Sequence, residues 1–243
     1  MKTRLFAFTI TFLVLSFAPW IGNDALHAQT ADDIISKSID AIGGRDAWLK
    51  INSYKLTGSV TAQGMDIKID ITAVQNKGQR FEITMMGMTG YNIATPTEGW
   101  SYMPFAGQQK PEALTPEQVK YGQDDLDIQG VLVDYKQKGY TAELLGKEDV
   151  EGTECWKIKL TLKNGKVKTD YFDPDSYLLI REVDKGTVDG KEASQTVDFS
   201  NFQKLPEGIT IPMTMNNGNG DFIIKKAEIN IPVADSLFKA PQG

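Results

Sequence analysis

The sequence predicts an α+β fold, mostly antiparallel β, in which one long curved sheet is accompanied by an N-terminal helix and a central helical excursion. Three observations predict it. Apolar residues recur at helical spacing near residues 31–42, they alternate with polar ones at period two across two long stretches, and the segment 106–138 between those stretches carries Pro111, Pro116 and several glutamines with no β periodicity.

Residues 1–29 read as a secretory signal peptide. Lys2 and Arg4 make a positive start, residues 5–18 form an apolar run too short for a membrane span, and Ala25-Leu26-His27-Ala28 supplies small residues near a cleavage point. The remainder, 30–243, is expected to be one domain, delivered to the periplasm as an exported, soluble protein. No cysteine stands at the expected mature start to receive a lipid anchor, because Cys155 is the only one. A single cysteine also forms no internal disulfide, so stability rests on the core.

The helix at 31–41 places Ile34, Ile35 and Ile39 on one side, with Ile42 one step on and Asp32 and Asp33 in the first turn, where they complement the helix dipole. Gly43-Gly44 breaks it, and a short turn carrying Trp48 follows. From residue 53 the period becomes two: Ile67, Ile69 and Ile71 alternate with Asp66, Lys68, Asp70 and Thr72, and Phe81, Ile83 and Met85 continue after the turn Asn76-Lys77-Gly78. Four or five strands in this region make a meander. In the excursion, Thr115-Pro116-Glu117-Gln118 is a helix start, with Thr as N-cap and Pro at the first helical position, and a second helical stretch is expected at 125–138. Strands resume at 140–150, 154–162, 166–172, 177–183, 193–202, 209–215 and 222–231, joined by turns such as Asn164-Gly165 and Asp173-Pro174-Asp175. Within 154–162, Trp156, Ile158, Leu160 and Leu162 face one way, and Cys155, Lys157, Lys159 and Thr161 the other.

Composition excludes several chemistries. Without residues 1–29 the net charge is about −7, which gives the chain no reason to seek nucleic acid. Lys157, Lys159, Lys163, Lys166 and Lys168 read as a solvated sheet face. The only histidine, His27, lies in the signal segment, so triad catalysis and the commonest zinc ligand are both missing from the remainder. Cys155, on the polar side of its strand, is expected to be partly exposed and without a catalytic role. The carboxylates Asp124, Asp125 and Asp127, and the pair Asp173 and Asp175, sit where helix ends and turns favour aspartate, so structural use outweighs acid/base catalysis. Asn216-Asn217-Gly218-Asn219-Gly220-Asp221 lacks the ligand spacing of a calcium loop and reads as a hairpin turn. No cofactor and no metal are expected, and the chain reads as noncatalytic.

What remains is a soft apolar face. Seven of the eight methionines, Met65, Met85, Met86, Met88, Met103, Met213 and Met215, stand in or beside strands, and methionine repacks readily around varied guests. The candidate ligand-binding residues are Ile67, Ile69, Phe81, Ile83, Met85, Met88, Trp100, Tyr102, Trp156, Ile158, Leu160, Met213 and Met215, lining a lipid-sized hollow.

The order of these elements, together with Gly43-Gly44, Glu98-Gly99-Trp100-Ser101-Tyr102-Met103-Pro104, the run from Glu151 to Leu160 and Tyr171-Phe172-Asp173-Pro174, resembles the outer-membrane lipoprotein-sorting proteins of the LolA/LolB-like superfamily. The resemblance spans nearly the whole chain after the signal segment. It implies a curved half-barrel sheet closed by helices whose hollow holds acyl chains, with the excursion 106–138 as lid. The implied function is a periplasmic carrier that shelters lipid or lipoprotein acyl chains without covalent chemistry. The alternative is a noncatalytic envelope interaction or stress-sensing module that binds a protein partner on the same fold. Envelope membrane proteins are possible partners, and a monomer is expected. The arginine that positions the lid in the best-known carriers has no matched counterpart; Arg80 is a strand residue.

Overall fold

The computed structural model describes residues 29–62 and 64–239; residues 1–28 of the expected signal segment, His27 among them, lie outside these. Helix α1, Ala31–Ala41, opens with a complete capping box in which the Thr30 hydroxyl accepts from the Asp33 amide and the Asp33 carboxylate accepts from the Thr30 amide. Its Ile34 and Ile35 are fully buried, each contributing about 1.5–3 kcal/mol of hydrophobic stabilisation. Gly43 then turns the chain at φ +111°, and a Cβ there would lie 2.3 Å from the Gly208 carbonyl oxygen. Gly43→Ala is expected to destabilise the protein by about 2 kcal/mol or more, since strain and clash coincide, as urea unfolding would show. A short helix α2, Arg45–Trp48, follows, and Trp48 donates its indole N–H to the Ile42 carbonyl.

Thirteen strands build one antiparallel sheet. The first meander is β1 (Ser53–Ala62), β2 (Met65–Val74), β3 (Gly78–Met85), β4 (Met88–Ala94), β5 (Gly99–Tyr102) and the short β6 (Glu112–Ala113). The second is β7 (Thr141–Val150), β8 (Thr153–Thr161), β9 (Val167–Phe172), β10 (Leu179–Val188), β11 (Lys191–Lys204), β12 (Thr210–Asn216) and β13 (Asp221–Ile229). Both run in chain order across the sheet, and β1 pairs with β13 to join them, giving 6-5-4-3-2-1-13-12-11-10-9-8-7. The sheet does not close, since among the described residues no ladder links β6 to β7. The result is an α+β curved half-barrel, as the alternation predicts.

The excursion between the meanders is less helical than expected. Helix α3, Pro116–Tyr121, has the predicted Thr115 cap, with Gln118 completing a capping box. A 3-10 turn, Gln123–Leu126, follows, but residues 127–139 form a chain of turns rather than a second helix, with Gly130 at φ +91° and Asp134 at φ +55°. Buried Ile128, Val133 and Tyr135 anchor this stretch, so tertiary packing supplies what helical hydrogen bonds do not.

Two sequence expectations change here. Lys166 and Lys168 do not lie on a solvated face but are buried, each 3% exposed, because β9 turns them inward with Asp170; Lys157, Lys159 and Lys163 remain on or near the surface. Cys155 is fully buried in a small core with Val150 and Tyr171 on the outer side of the sheet, and desolvation pushes its thiol up, away from reactivity.

Candidate binding site

Ladder register assigns each strand residue to a face, because directly opposed residues in an antiparallel pair share one side. Along the first meander, Val60 opposes Ile67, Gly58 opposes Ile69, Ile69 opposes Ile83, Ile71 opposes Phe81 and Met85 opposes Met88. Across the join, Val60 opposes Phe222, Phe222 opposes Met215 and Met215 opposes Phe199. The same parity reaches Glu182 and Asp184 on β10, Asp170 and Lys168 on β9, then Ile158 and Leu160 on β8. One continuous inner face therefore carries eleven of the thirteen candidate residues.

The exceptions are Trp100 and Tyr102. They oppose Ile93 and Tyr91 on the other face, while Gly99 and Ser101 take the inner positions. Trp100 lines a groove with Leu114 and Val119 at the β5 end of the sheet, and Tyr102 packs on Tyr91 with ring centroids 5.6 Å apart. Arg80 shares that outer face, over the Tyr91 ring at 4.3 Å and 3.0 Å from Glu82.

The inner face divides into three zones. Over β7–β9 it is already occupied: Ile158 and Leu160 are fully buried beneath Ile34, Ile35 and Tyr135, with Trp156 packed at the margin. Over β1–β3, β12 and β13 no α-helix of the described residues covers it, while at β4 the 3-10 turn Pro104–Ala106 brings Met103 and Phe105 against Gly90. Ile69, Met213, Phe222 and Ile224 are buried there against half-buried Leu56, Val60, Ile71, Phe81 and Met215. Ile67, Ile83 and Met85 are half-buried, and Met88 is 40% exposed at the rim. This is an apolar trough, made of the residue types that the sequence singled out.

Between these zones lies a cavity of about 430 Å³, roofed by the excursion from Asp124 to Val133 and by Ser38, Ile42 and Trp48. Tyr54, Gln79, Leu179, Phe199 and Phe202 contribute apolar and amide surface, and Lys168, Asp170 and Glu182 form the polar end. None of the thirteen candidates lines it. It adjoins the trough, since Tyr54 and Gln79 stand two residues before Leu56 and Phe81 on the same strands and the same face. Desolvation pushes the Tyr54 phenol up to about 12, so it stays a neutral hydrogen-bonding group. Another hollow, of about 350 Å³ beside Glu117, Lys120, Tyr121 and Asn164, shares no lining residue with the trough.

The polar end is a buried ion cluster. Lys166 Nζ lies 3.0 Å from Asp124 and 2.9 Å from Asp184; Lys168 Nζ lies 2.9 Å from Glu182 and 2.8 Å from Asp184. The Tyr121 ring of α3 caps Lys166 at 4.5 Å. Desolvation is the largest single influence on the Lys168 ammonium and lowers it, but the carboxylates of Glu182, Asp184 and Asp124 together outweigh it and raise it, while burial raises Glu182. Sequence reading missed this cluster. Its signal was Lys166, Lys168 and Asp170 at alternate positions facing Glu182 and Asp184 at alternate positions on the next strand.

Three of the five carboxylates considered for acid/base chemistry have partners of a structural kind. Asp124 holds Lys166; Asp127 is bound by Lys138 and by the Gln75 amide at 2.8 Å; and Asp173 accepts from the amides of Asp175 and Ser176 at 3.1 and 2.7 Å, closing its turn. The Asn216–Asp221 stretch is the turn between β12 and β13, tied by the Asn216 amide to Asp221 at 2.7 Å.

Among solved structures, the chain is similar to a LolA superfamily protein from Nitrosomonas europaea, at 16% identity and TM-score 0.53, covering 88% of this chain and 99% of that one. It is also similar to a DUF1329 family protein from Desulfovibrio piger, at 14% identity and TM-score 0.53, covering 87% and 98%. No protein-family model and no curated protein sequence matches it. The likeness is one of fold, and it agrees with the resemblance read from the order of the elements. Among the described residues, no helix is long and apolar enough to cross a membrane.

Proposed function

We propose, taking the LolA-superfamily fold as the premise, that this chain is a periplasmic, noncatalytic carrier that shelters lipid or lipoprotein acyl chains in its half-barrel and works as a soluble monomer. The observation that carries the reading is the inner face over β1–β3, β12 and β13, which no α-helix of the described residues covers and where half-buried Ile67, Phe81, Ile83, Met85 and Met215 stand beside a preformed cavity. An apolar sheet face left without a helix is costly unless something covers it. An acyl chain of about 14 methylenes would gain on the order of 11 kcal/mol there before ordering costs. The rim methionines Met65, Met86 and Met88, 37–72% exposed, offer an adaptable entry.

The test is uptake of a neutral apolar fluorophore such as N-phenyl-1-naphthylamine, with native mass spectrometry of gently purified protein for lipid adducts. The protein is expected to take up the dye. The double change Ile83→Lys and Met85→Lys is expected to weaken uptake about tenfold or more, by placing two charges on the trough. No uptake by the unaltered protein, with a clean apo mass, would sink the reading. It would favour instead a module that binds a protein partner, for which the exposed rim methionines are the supporting observation.

Carriage also needs a roof that opens. Helix α3 buries none of its own residues, whereas 128–135 is anchored by Ile128, Val133 and Tyr135. Hydrogen exchange is therefore expected to be faster from α3 through Gly122 than in β8–β10, with the Gly130 turn intermediate. Equal protection of α3 and those strands would contradict a moving lid.

A further inference from the structure

The polar end of the cavity holds a group that acyl binding alone does not require. Asp170 is fully buried and lines the cavity, and among the described residues neither of its carboxyl oxygens has a hydrogen-bond partner. Buried carboxyls are nearly always partnered, so an orphan at a cavity wall marks a place where something else supplies the partner. Lys168 is two residues away on the same strand, but its ammonium is engaged by Glu182, Asp184 and Asp124. Lys166 is engaged by Asp124 and Asp184, and Lys138 by Asp127 and the Gly130 carbonyl.

The charge balance says which partner fits. Asp124, Asp170, Glu182 and Asp184 face one another across β9, β10 and the excursion, with only Lys166 and Lys168 among them. Asp125 and Asp127 add further carboxylates along the roof, the latter paired with Lys138. A ligand group that is positive and donates hydrogen bonds meets Asp170 and relieves the excess of carboxyls; an anionic head would add a further negative charge beside Glu182 and Asp184.

We propose that the cavity selects amphiphiles with a cationic head, of the primary-amine class, seating the ammonium against Asp170 and Glu182 while the apolar tail runs along the trough past Leu56 and Phe81. This deepens the carrier reading and rests on it. The two-residue steps from Tyr54 to Leu56 and from Gln79 to Phe81 place head and tail sites on one continuous surface. Simple fatty-acid anions are accordingly poor guests.

Displacement of the neutral fluorophore by three single-chain ligands of equal length, dodecylamine, dodecanol and dodecanoate, tests the proposal. The amine is expected to bind about tenfold or more tighter than the alcohol, the worth of one charge-assisted hydrogen bond, with the carboxylate weakest. Asp170→Asn is expected to narrow the gap between amine and alcohol to within about threefold. Glu182→Gln gives the same comparison should the first variant fail to fold. Amine and alcohol binding equally to the unaltered protein, carboxylate binding as tightly as amine, or an amine preference that survives both substitutions would overturn the head-group proposal while leaving the acyl reading intact. Absence of dye uptake and of any displacement would remove both.

Discussion

Lys168→Met is expected to lower the unfolding free energy by about 3–5 kcal/mol at pH 7, and the thermal midpoint by roughly 10 °C for a chain of this size. The lysine side chain is 4% exposed and its ammonium reaches Glu182 at 2.9 Å and Asp184 at 2.8 Å, so its removal strands Glu182, with little access to water, and leaves Asp184 to Lys166 alone. Methionine matches its length, which separates loss of charge from loss of packing. The sign of the pH dependence follows. Deprived of the ammonium that lowers it, Glu182, already raised by burial, is displaced further upward, a penalty that is absent below the ordinary carboxylate range and grows as pH rises through it. Urea unfolding should therefore show the variant nearly as stable as the parent near pH 4 and clearly weaker at pH 7. A loss of equal size at both would mean that packing, not charge, is what Lys168 provides. Lys157, more exposed and paired with Glu148 at the surface, should by contrast tolerate methionine within about 0.5 kcal/mol.

The second large effect has the opposite direction. Asp170→Asn is expected to stabilise the empty protein measurably at pH 7–8, because burial, then the Glu182 charge, hold the Asp170 carboxyl well above its usual range. A group raised in the folded state costs nothing at low pH, where it is protonated in both states, and costs most above its folded pKa. The gain from asparagine should thus vanish near pH 4 and grow toward pH 8 in the same unfolding series. A core carboxyl kept at such a cost is what a binding function predicts and a purely structural role does not, since stability and a ready site pull in different directions. An asparagine variant less stable than the parent at pH 8 would show that Asp170 has a partner when folded.

How much of this could be read beforehand differs from element to element. The strands of both meanders were legible because their apolar residues alternate and their turns carry Asn-Gly, Asp-Pro and Gly signals; Ile67, Ile69, Ile83, Met85, Met213 and Met215 fall on one face because alternation alone sorts them. Helix α1 was legible through the paired aspartates and the isoleucine stripe; its Thr30 cap was not singled out. Residues 127–139 were not, because their apolar spacing suits a helix while Gly130 and Asp134 at positive φ, and the pull of Ile128 and Tyr135 toward different core clusters, favour turns. Trp100 and Tyr102 went to the outer face by a single step of parity, which a four-residue strand does not reveal.

By itself, then, the sequence determined which residues share a side of each strand, where the chain turns, and that an apolar face awaited a cover. Only the tertiary structure decided which stretch of that face α1 fills, which stretch stays open, and that Lys166, Lys168, Asp170, Glu182 and Asp184 point into the interior rather than into water. The physical reason is that alternation is local, a property of one strand's pleat. Burial of charge is a property of several strands at once: a Lys-Val-Lys-Thr-Asp run reads the same whether solvent or the carboxylates of β10 and Asp124 lie opposite.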